Sequence, residues 1–166
     1  MNAVQPRPKP VPADIRDAIA LLNQAYAQCL DDNQLDAWLD FFPEDGIYKI
    51  VPRDNLEGGF PVCLMLFLGR AAMRDRVLCV QDVNIFHLHW TRHFLGQPTV
   101  SAGADGTWNV RTNVMVAHTD TEGHSSVYAI GEYRDVVIRD GEAFLYKERA
   151  VILDSFMIES QMAEPL

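Results

Sequence analysis

The last third of the chain constrains the fold most. Residues 108–118, 125–138 and 144–154 are strand-like runs, separated by turn residues at 119–123 and by Asp140-Gly141. Asp-Gly between two strand runs is a strong hairpin signal, because a tight two-residue turn needs left-handed dihedrals. A fourth run, residues 97–102, precedes them, and Gly103 to Gly106 supplies the intervening turn. Long strands in succession form an antiparallel meander. A sheet this large relative to its helices must curl around them.

The front of the chain supplies the covering layer. From Asp14 the residues Ile15, Ile19, Leu22, Tyr26 and Cys29 recur every three or four positions, one face of an amphipathic helix with Asp14 as its N-cap after Pro12. Asp31-Asp32-Asn33 breaks that helix. A second follows with Leu35, Trp38, Leu39 and Phe42 on one stripe and Asn33 as its cap. Residues 43–46 turn into a strand at 47–51 that Pro52 ends, and residues 53–61 are a polar loop. The stretch 64–80 is helical in its second half, where Met73, Val77 and Val80 share a face and Arg70 and Arg74 lie one turn apart on another. Beyond Asp82 the period changes to two, with Phe86, Leu88 and Trp90 on one side of an extended run. The order, helices first and strands after, reads as a single α+β domain over residues 14–166. Pro6, Pro8, Pro10 and Pro12 make residues 1–13 a loose, flexible Pro-rich arm.

Composition removes whole classes of function. A chain of 166 residues that is 48% hydrophobic can bury a sizeable core. Its formal charge of −9 argues against nucleic acid, since phosphate binding depends on clustered Lys and Arg. The longest apolar run, residues 60–68, is interrupted by Pro61 and falls short of the roughly 18 residues that span a bilayer. The start lacks the apolar core of a secretory signal. Cys29, Cys63 and Cys79 are odd in number and sit among apolar neighbours, so buried free thiols in a reducing, cytoplasmic compartment are expected.

The candidates for chemistry are few. In His87-x-His89-x-x-x-His93 the odd positions of a strand share one side, and Asp82 could add a carboxylate to a metal site. Without visible supporting groups, the reading preferred is a solvated or interfacial histidine stripe opposite the apolar face. No Cys has a His two or three residues away, as a Rieske cluster would need. Gly58-Gly59 lacks the Lys-Ser/Thr of a phosphate loop, and Ser125-Ser126 beside His124 forms no nucleophile elbow. Tyr26, Tyr48, His93, Tyr128 and Glu148 could line a pocket capable of acid–base chemistry, against the alternative that the aromatic residues fill the core. Arg70, Arg74 and Arg76, with Asp75 between, are either a solvated helix face or a docking surface for carboxylates.

Five further pieces, in one order, carry a family resemblance. They are residues 36–48 (Asp-Ala-Trp-Leu-Asp-Phe-Phe-Pro-Glu-Asp-Gly-Ile-Tyr), Met73-Arg74-Asp75-Arg76-Val77, Arg92-His93 with Asn113, Gly131-Glu132-Tyr133-Arg134-Asp135, and Glu148-Arg149-Ala150-Val151-Ile152-Leu153-Asp154. Together they resemble the small (beta) subunit of Rieske-type aromatic-ring-hydroxylating dioxygenases. The stretch Arg92-His93-Phe94-Leu95-Gly96-Gln97-Pro98 is most similar to members that serve carboxylated aromatics, such as terephthalate or salicylate. The resemblance implies a cone-shaped, curved antiparallel or mixed sheet over N-terminal helices, as in nuclear transport factor 2 and cystatin-like folds. It implies a trimer of small subunits within an α3β3 hexamer, served indirectly by a ferredoxin and reductase. The Rieske [2Fe-2S] cluster, the mononuclear iron and the substrate pocket are then expected in the large subunit, with no cofactor and no catalytic residue here. Arg70, Arg74, Arg76, His87, His89 and Arg92 are the expected subunit contacts.

Overall fold

The computed structural model describes residues 11–83, 89–155 and 162–166. Most of the expected arm, and Phe86, His87 and Leu88, lie outside the described residues.

Helix α1 (Ala13–Asp31) begins one residue before Asp14, with Pro12 at its N-cap. Asp14 therefore sits in the first turn, where its charge complements the unpaired amides rather than capping them. Asn33 does not cap the second helix, as its polarity suggested. It adopts φ 54° and closes the first. Its N–H donates to the Leu30 carbonyl and that of Gln34 to the Cys29 carbonyl, the paired bonds by which a helix ends on a left-handed residue. Gln34 then caps α2 (Leu35–Trp38), which tightens into a 3-10 turn at Leu39–Phe41.

Strand β1 (Ile47–Pro52) leads into α3 (Arg53–Glu57), a short helix where a polar loop was expected. Strand β2 (Met65–Leu68) pairs back on β1, and its four residues carry too little pattern to be read unaided. Helix α4 (Arg70–Leu78) passes into a π turn at Cys79–Val83. The remaining strands are β3 (His89–Leu95), β4 (Thr99–Ala102), β5 (Trp108–Asp120), β6 (Ser125–Asp140) and β7 (Ala143–Leu153). Gly141, at φ 61°, makes the hairpin between β6 and β7 that Asp140-Gly141 foretold.

The sheet runs β2-β1-β7-β6-β5-β3, with β4 also on β5. It is mixed rather than a pure meander, because β1 pairs in parallel with β7 while its other strands pair antiparallel. The inner face and the helices share one cluster that includes Tyr26, Trp38, Phe42, Tyr48, Tyr133 and Tyr146. Their rings meet mostly edge to face at 5.3–6.4 Å, the arrangement that quadrupoles favour.

Two bulges set which side chains look inward. Between Val136 and Val137 the register with β7 shifts, leaving Lys147 unpaired. Tyr146 and Arg149, three residues apart, thereby both enter the core. A second shift, between Val116 and Ala117, sets Tyr128 at a bulge of β6.

Candidate subunit-contact surface

The interior of the cone is occupied by its own polar core. Asp135 and Arg149 face each other across β6 and β7, both fully buried. Arg149 donates through Nε to Asp135 Oδ1 (3.0 Å), through Nη2 to Asp135 Oδ2 (2.8 Å) and to Asn23 Oδ1 (2.7 Å). Its guanidinium lies 3.8–4.1 Å from the ring centres of Tyr26, Tyr133 and Tyr146, a cage of π faces. Asn23 completes the node, accepting from Tyr146 Oη at 2.7 Å and donating to Thr112 Oγ1 at 2.9 Å. Burial opposes the charge on Arg149, and Asp135 with the surrounding phenols outweighs it, so the group is held cationic. Burial drives the pKa of Tyr26 up to about 12 and those of Tyr48 and Tyr133 well above their usual value. These phenols stay protonated near neutral pH.

The residues named for an interior pocket divide accordingly. Tyr26 and Tyr48 are 0% exposed and fill the core. Glu148 points to the outer face and pairs with Lys49 at 2.6 Å. Tyr128 sits half-buried at its bulge, 6.0 Å from the ring of His118. The side chain of His93 is buried, its Nδ1 2.7 Å from Asp31 Oδ1, while its backbone N–H donates to both carboxylate oxygens at 3.1 Å. The Nε2 of His93 has no partner among the described residues.

The histidine side of β3 faces the core, where a solvated or interfacial stripe opposite the apolar face was expected. His89, Thr91, His93 and Leu95 lie on the inner side, half-buried, and the alternate Trp90, Arg92 and Phe94 are exposed. Pairing dictates this: His93 opposes buried Val116 and Leu95 opposes buried Val114. His89 meets the ring of His118 edge-on at 4.7 Å and approaches Glu164 at 3.9 Å. No group of three His, Cys, Asp or Glu that could hold a metal occurs among the described residues.

The outer face of β3, β5 and β6 is an apolar grid. Its rows are Phe94–Met115–Ile130, then Arg92–Ala117–Val127, then Trp90–Thr119–Ser125. Trp90 is 50% exposed, Phe94 55%, Val127 55% and Ile130 45%. At the far edge, Leu66 and Leu68 of β2 are exposed too, with Phe60, Val62 and Leu64 before them. Between the two apolar areas stands Glu132, side chain 5% exposed. Its Oε2 accepts from Arg111 Nε (3.0 Å) and Nη2 (2.5 Å), and its Oε1 from Arg134 Nε (2.8 Å) and Nη2 (2.5 Å). Arg53 Nη1 stands 3.5 Å from Oε1, and its Nε binds Asp154. Burial raises the carboxyl's pKa, but the hydrogen bonds and charges of Arg111 and Arg134 prevail and hold it below the ordinary range.

The expected contact residues scatter. Arg70 holds the chain to itself, bonding Asp40 (3.2 Å) and the Phe42 carbonyl (3.4 Å) with Glu44 at 3.6 Å. Arg76 donates to the Ala163 and Met162 carbonyls at 2.7 and 3.3 Å. Arg74 is exposed. Arg92 projects from the apolar grid, 57% exposed, with Nη1 3.8 Å from Asp31. His87 lies outside the described residues. Sequence reasoning missed the Asn23–Asp135–Arg149 node and the Glu132 hub; for Asp135 and Arg149 the available signal was a charge in phase with buried Tyr133 and Val151, whereas Glu132 falls out of phase with Tyr133. It also expected three buried thiols, whereas Cys29 is buried, Cys63 half-buried and Cys79 exposed.

Residues 12–150 match the model of the SnoaL-like domain family. Over 148 residues the chain is 33% identical to the anthranilate 1,2-dioxygenase small subunit of Burkholderia cepacia, covering 89% of this chain and 92% of that one. It is 30% identical, covering 89% and 96%, to subunit beta 1 of the terminal oxygenase component of terephthalate 1,2-dioxygenase from a Comamonas species. Among solved structures it is similar to the beta subunit of a candidate aromatic-ring-hydroxylating dioxygenase from Novosphingobium aromaticivorans. The TM-score is 0.85 and the identity 27%, over 92% of this chain and 97% of that one.

Proposed function

The chain belongs to the SnoaL-like domain family and, within it, to the small subunits of aromatic-ring dioxygenases, and from that premise we propose that it is a non-catalytic scaffold docking on a large oxygenase subunit. The large subunit holds the Rieske [2Fe-2S] cluster, the mononuclear iron and the aromatic substrate, and a ferredoxin and reductase feed it electrons. Three copies of this chain join three large subunits in the cytoplasm.

The observation that carries this reading is the uncovered grid of Trp90, Phe94, Val127 and Ile130 on the outer sheet face. Soluble monomers rarely leave contiguous apolar patches beyond a few hundred Å² without a partner. Aromatic side chains flanked by a lone Arg such as Arg92 are typical interface anchors. The filled interior supports the same reading, since Arg149, Asp135 and the three phenols occupy the volume in which a ligand would react. Arg74 and Arg92 remain the contact candidates whose side chains face solvent.

Iron analysis and turnover assays on the purified chain test the claim. It should retain no stoichiometric iron and oxidise no aromatic acid unaided; either property in the lone chain would overturn the proposal. A second reading, a stand-alone dehydratase, isomerase or cyclase or a small-ligand binding protein, rests on the buried Asp31–His93 pair. It requires that His93→Asn abolish a turnover the wild-type chain performs alone.

A further inference from the structure

Two guanidiniums stand side by side on the outer face of the sheet and share one carboxylate. Arg111 and Arg134 are direct partners across β5 and β6, a placement in which like charges repel. Glu132 holds them there: two N–H donors from each arginine fill the four acceptor positions of its carboxylate. The neighbouring cations are matched singly, Lys49 with Glu148 and Arg53 with Asp154. Arg111 and Arg134 have a single anion between them, which leaves one positive charge over in a chain whose formal charge is −9. Each keeps its Nη1 without a partner among the described residues.

The surplus charge borders a hollow. A cavity of about 340 Å³ is lined by both arginines, by Leu56 of α3 and by Ala150 and Ile152 of β7. Ala150 pairs with Arg134 on one side and with Lys49 on the other, and its small side chain leaves a gap between the long ones. Ala150 and Ile152 are buried, so the floor is apolar. Successive cross-strand rows join this hollow to the apolar grid: Arg111–Arg134–Ala150, then Asn113–Glu132–Ile152, then Phe94–Met115–Ile130. In the other direction Lys49 pairs with Leu66, part of the exposed apolar edge. A partner that covers both apolar areas crosses the hollow. Drying two guanidiniums that hold one carboxylate would strand a charge unless that partner supplies an anion.

We propose that the large subunit seats an aspartate or glutamate in this hollow, its carboxylate on Arg111 and Arg134 and its apolar stem over Ala150 and Ile152. The inference rests on the docking reading given above and deepens it. The grid supplies area of contact. The arginine pair, set in place by Glu132 before the partner arrives, fixes where on the sheet the partner sits.

The test follows dissociation on dilution, by sedimentation velocity, of the chain co-expressed with its cognate Rieske-type large subunit. Arg111→Gln and Arg134→Gln should each weaken assembly roughly tenfold or more, through loss of a charge-assisted bond to the partner. Arg111→Lys, which keeps the charge but not the fork, should fall between wild type and Arg111→Gln, and it answers the question where a glutamine variant does not fold. Arg16→Gln, at an exposed position of α1, should assemble as wild type does. Each isolated variant should still melt cooperatively, since Glu132 keeps one of the two arginines and Arg53 nearby. A wild-type chain that does not assemble would overturn the docking reading and this inference together. Full assembly of both glutamine variants, with Trp90→Glu, Phe94→Glu abolishing it, would overturn this inference alone. So would a self-association of the isolated chain that Arg111→Gln abolishes, because the hollow would then belong to a second copy.

Discussion

At the scale of single residues, the fold is most exposed to error where charges are buried. Arg149 and Asp135 are both inaccessible to water, and either one alone would be an uncompensated charge in the core. Asp135→Ala is therefore expected to lower stability by about 3–5 kcal/mol, read from urea denaturation midpoints, because removing one partner strands the other. A change below about 1 kcal/mol would mean that the pair is not closed in solution. Glu132 makes a prediction about pH. Its carboxyl is held below the ordinary range in the folded state by Arg111 and Arg134, which outweigh burial. The stability it contributes is thus present above the unfolded pKa of about 4.3 and is lost as pH falls through the lower folded value. Denaturation midpoints of wild type should drop steeply below about pH 4, and Glu132→Gln should show a shallower acid limb. Equal slopes in the two proteins would contradict the assignment. The polar core was hidden in the sequence for a physical reason. A lone charge belongs in water, and only the pairing of Asp135 with Arg149 across two strands makes their burial tolerable.

At the scale of elements, the long strands and the hairpin were legible because their pattern repeats over ten or more residues. Short elements were not. Strand β2 has four residues, and α3 is a polar stretch that becomes helical between a proline and a turn at Gly58-Gly59. The orientation of β3 failed for a related reason. Alternation fixed which residues share a side, but the side that faces the core depends on Val114 and Val116 of β5, distant in sequence. The close approach of β6 to β7 supplies a test. A Cβ at Gly131 would stand 2.0 Å from the Ile152 carbonyl oxygen, whereas at Gly96 it would meet Asn113 Cβ at an ordinary 3.5 Å. Gly131→Ala is expected to cost about 1–3 kcal/mol or more, and Gly96→Ala to stay within about 0.5 kcal/mol. Comparable melting temperatures for the two variants would show that the strands are not so tightly apposed.

At the scale of the whole molecule, the family and the cone-like α+β fold were legible because motifs such as residues 131–135 and 148–154 encode the central strand pair. The contact surface was less so. Arg70 and Arg76, which the sequence offers as either a solvated helix face or docking groups, bind Asp40, Phe42 and the segment 162–166 within the chain. Trp90 lies on the apolar side of its run, and Phe94 falls in phase with it. Their exposure emerges only when the sheet is assembled, and with it the proposal that a partner covers them. Stable obligate interfaces bury roughly 2,000 Å² or more, so charges placed in the grid should abolish assembly while leaving the monomer intact. The most direct measurement is native mass spectrometry of the chain co-expressed with its cognate Rieske-type large subunit. Wild type should purify as a hexamer of three copies of each chain. The double variant Trp90→Glu, Phe94→Glu should appear as free chain with its melting temperature unchanged. A wild-type chain that remains alone in the presence of that subunit, or a double variant that assembles as well as wild type, would contradict the account.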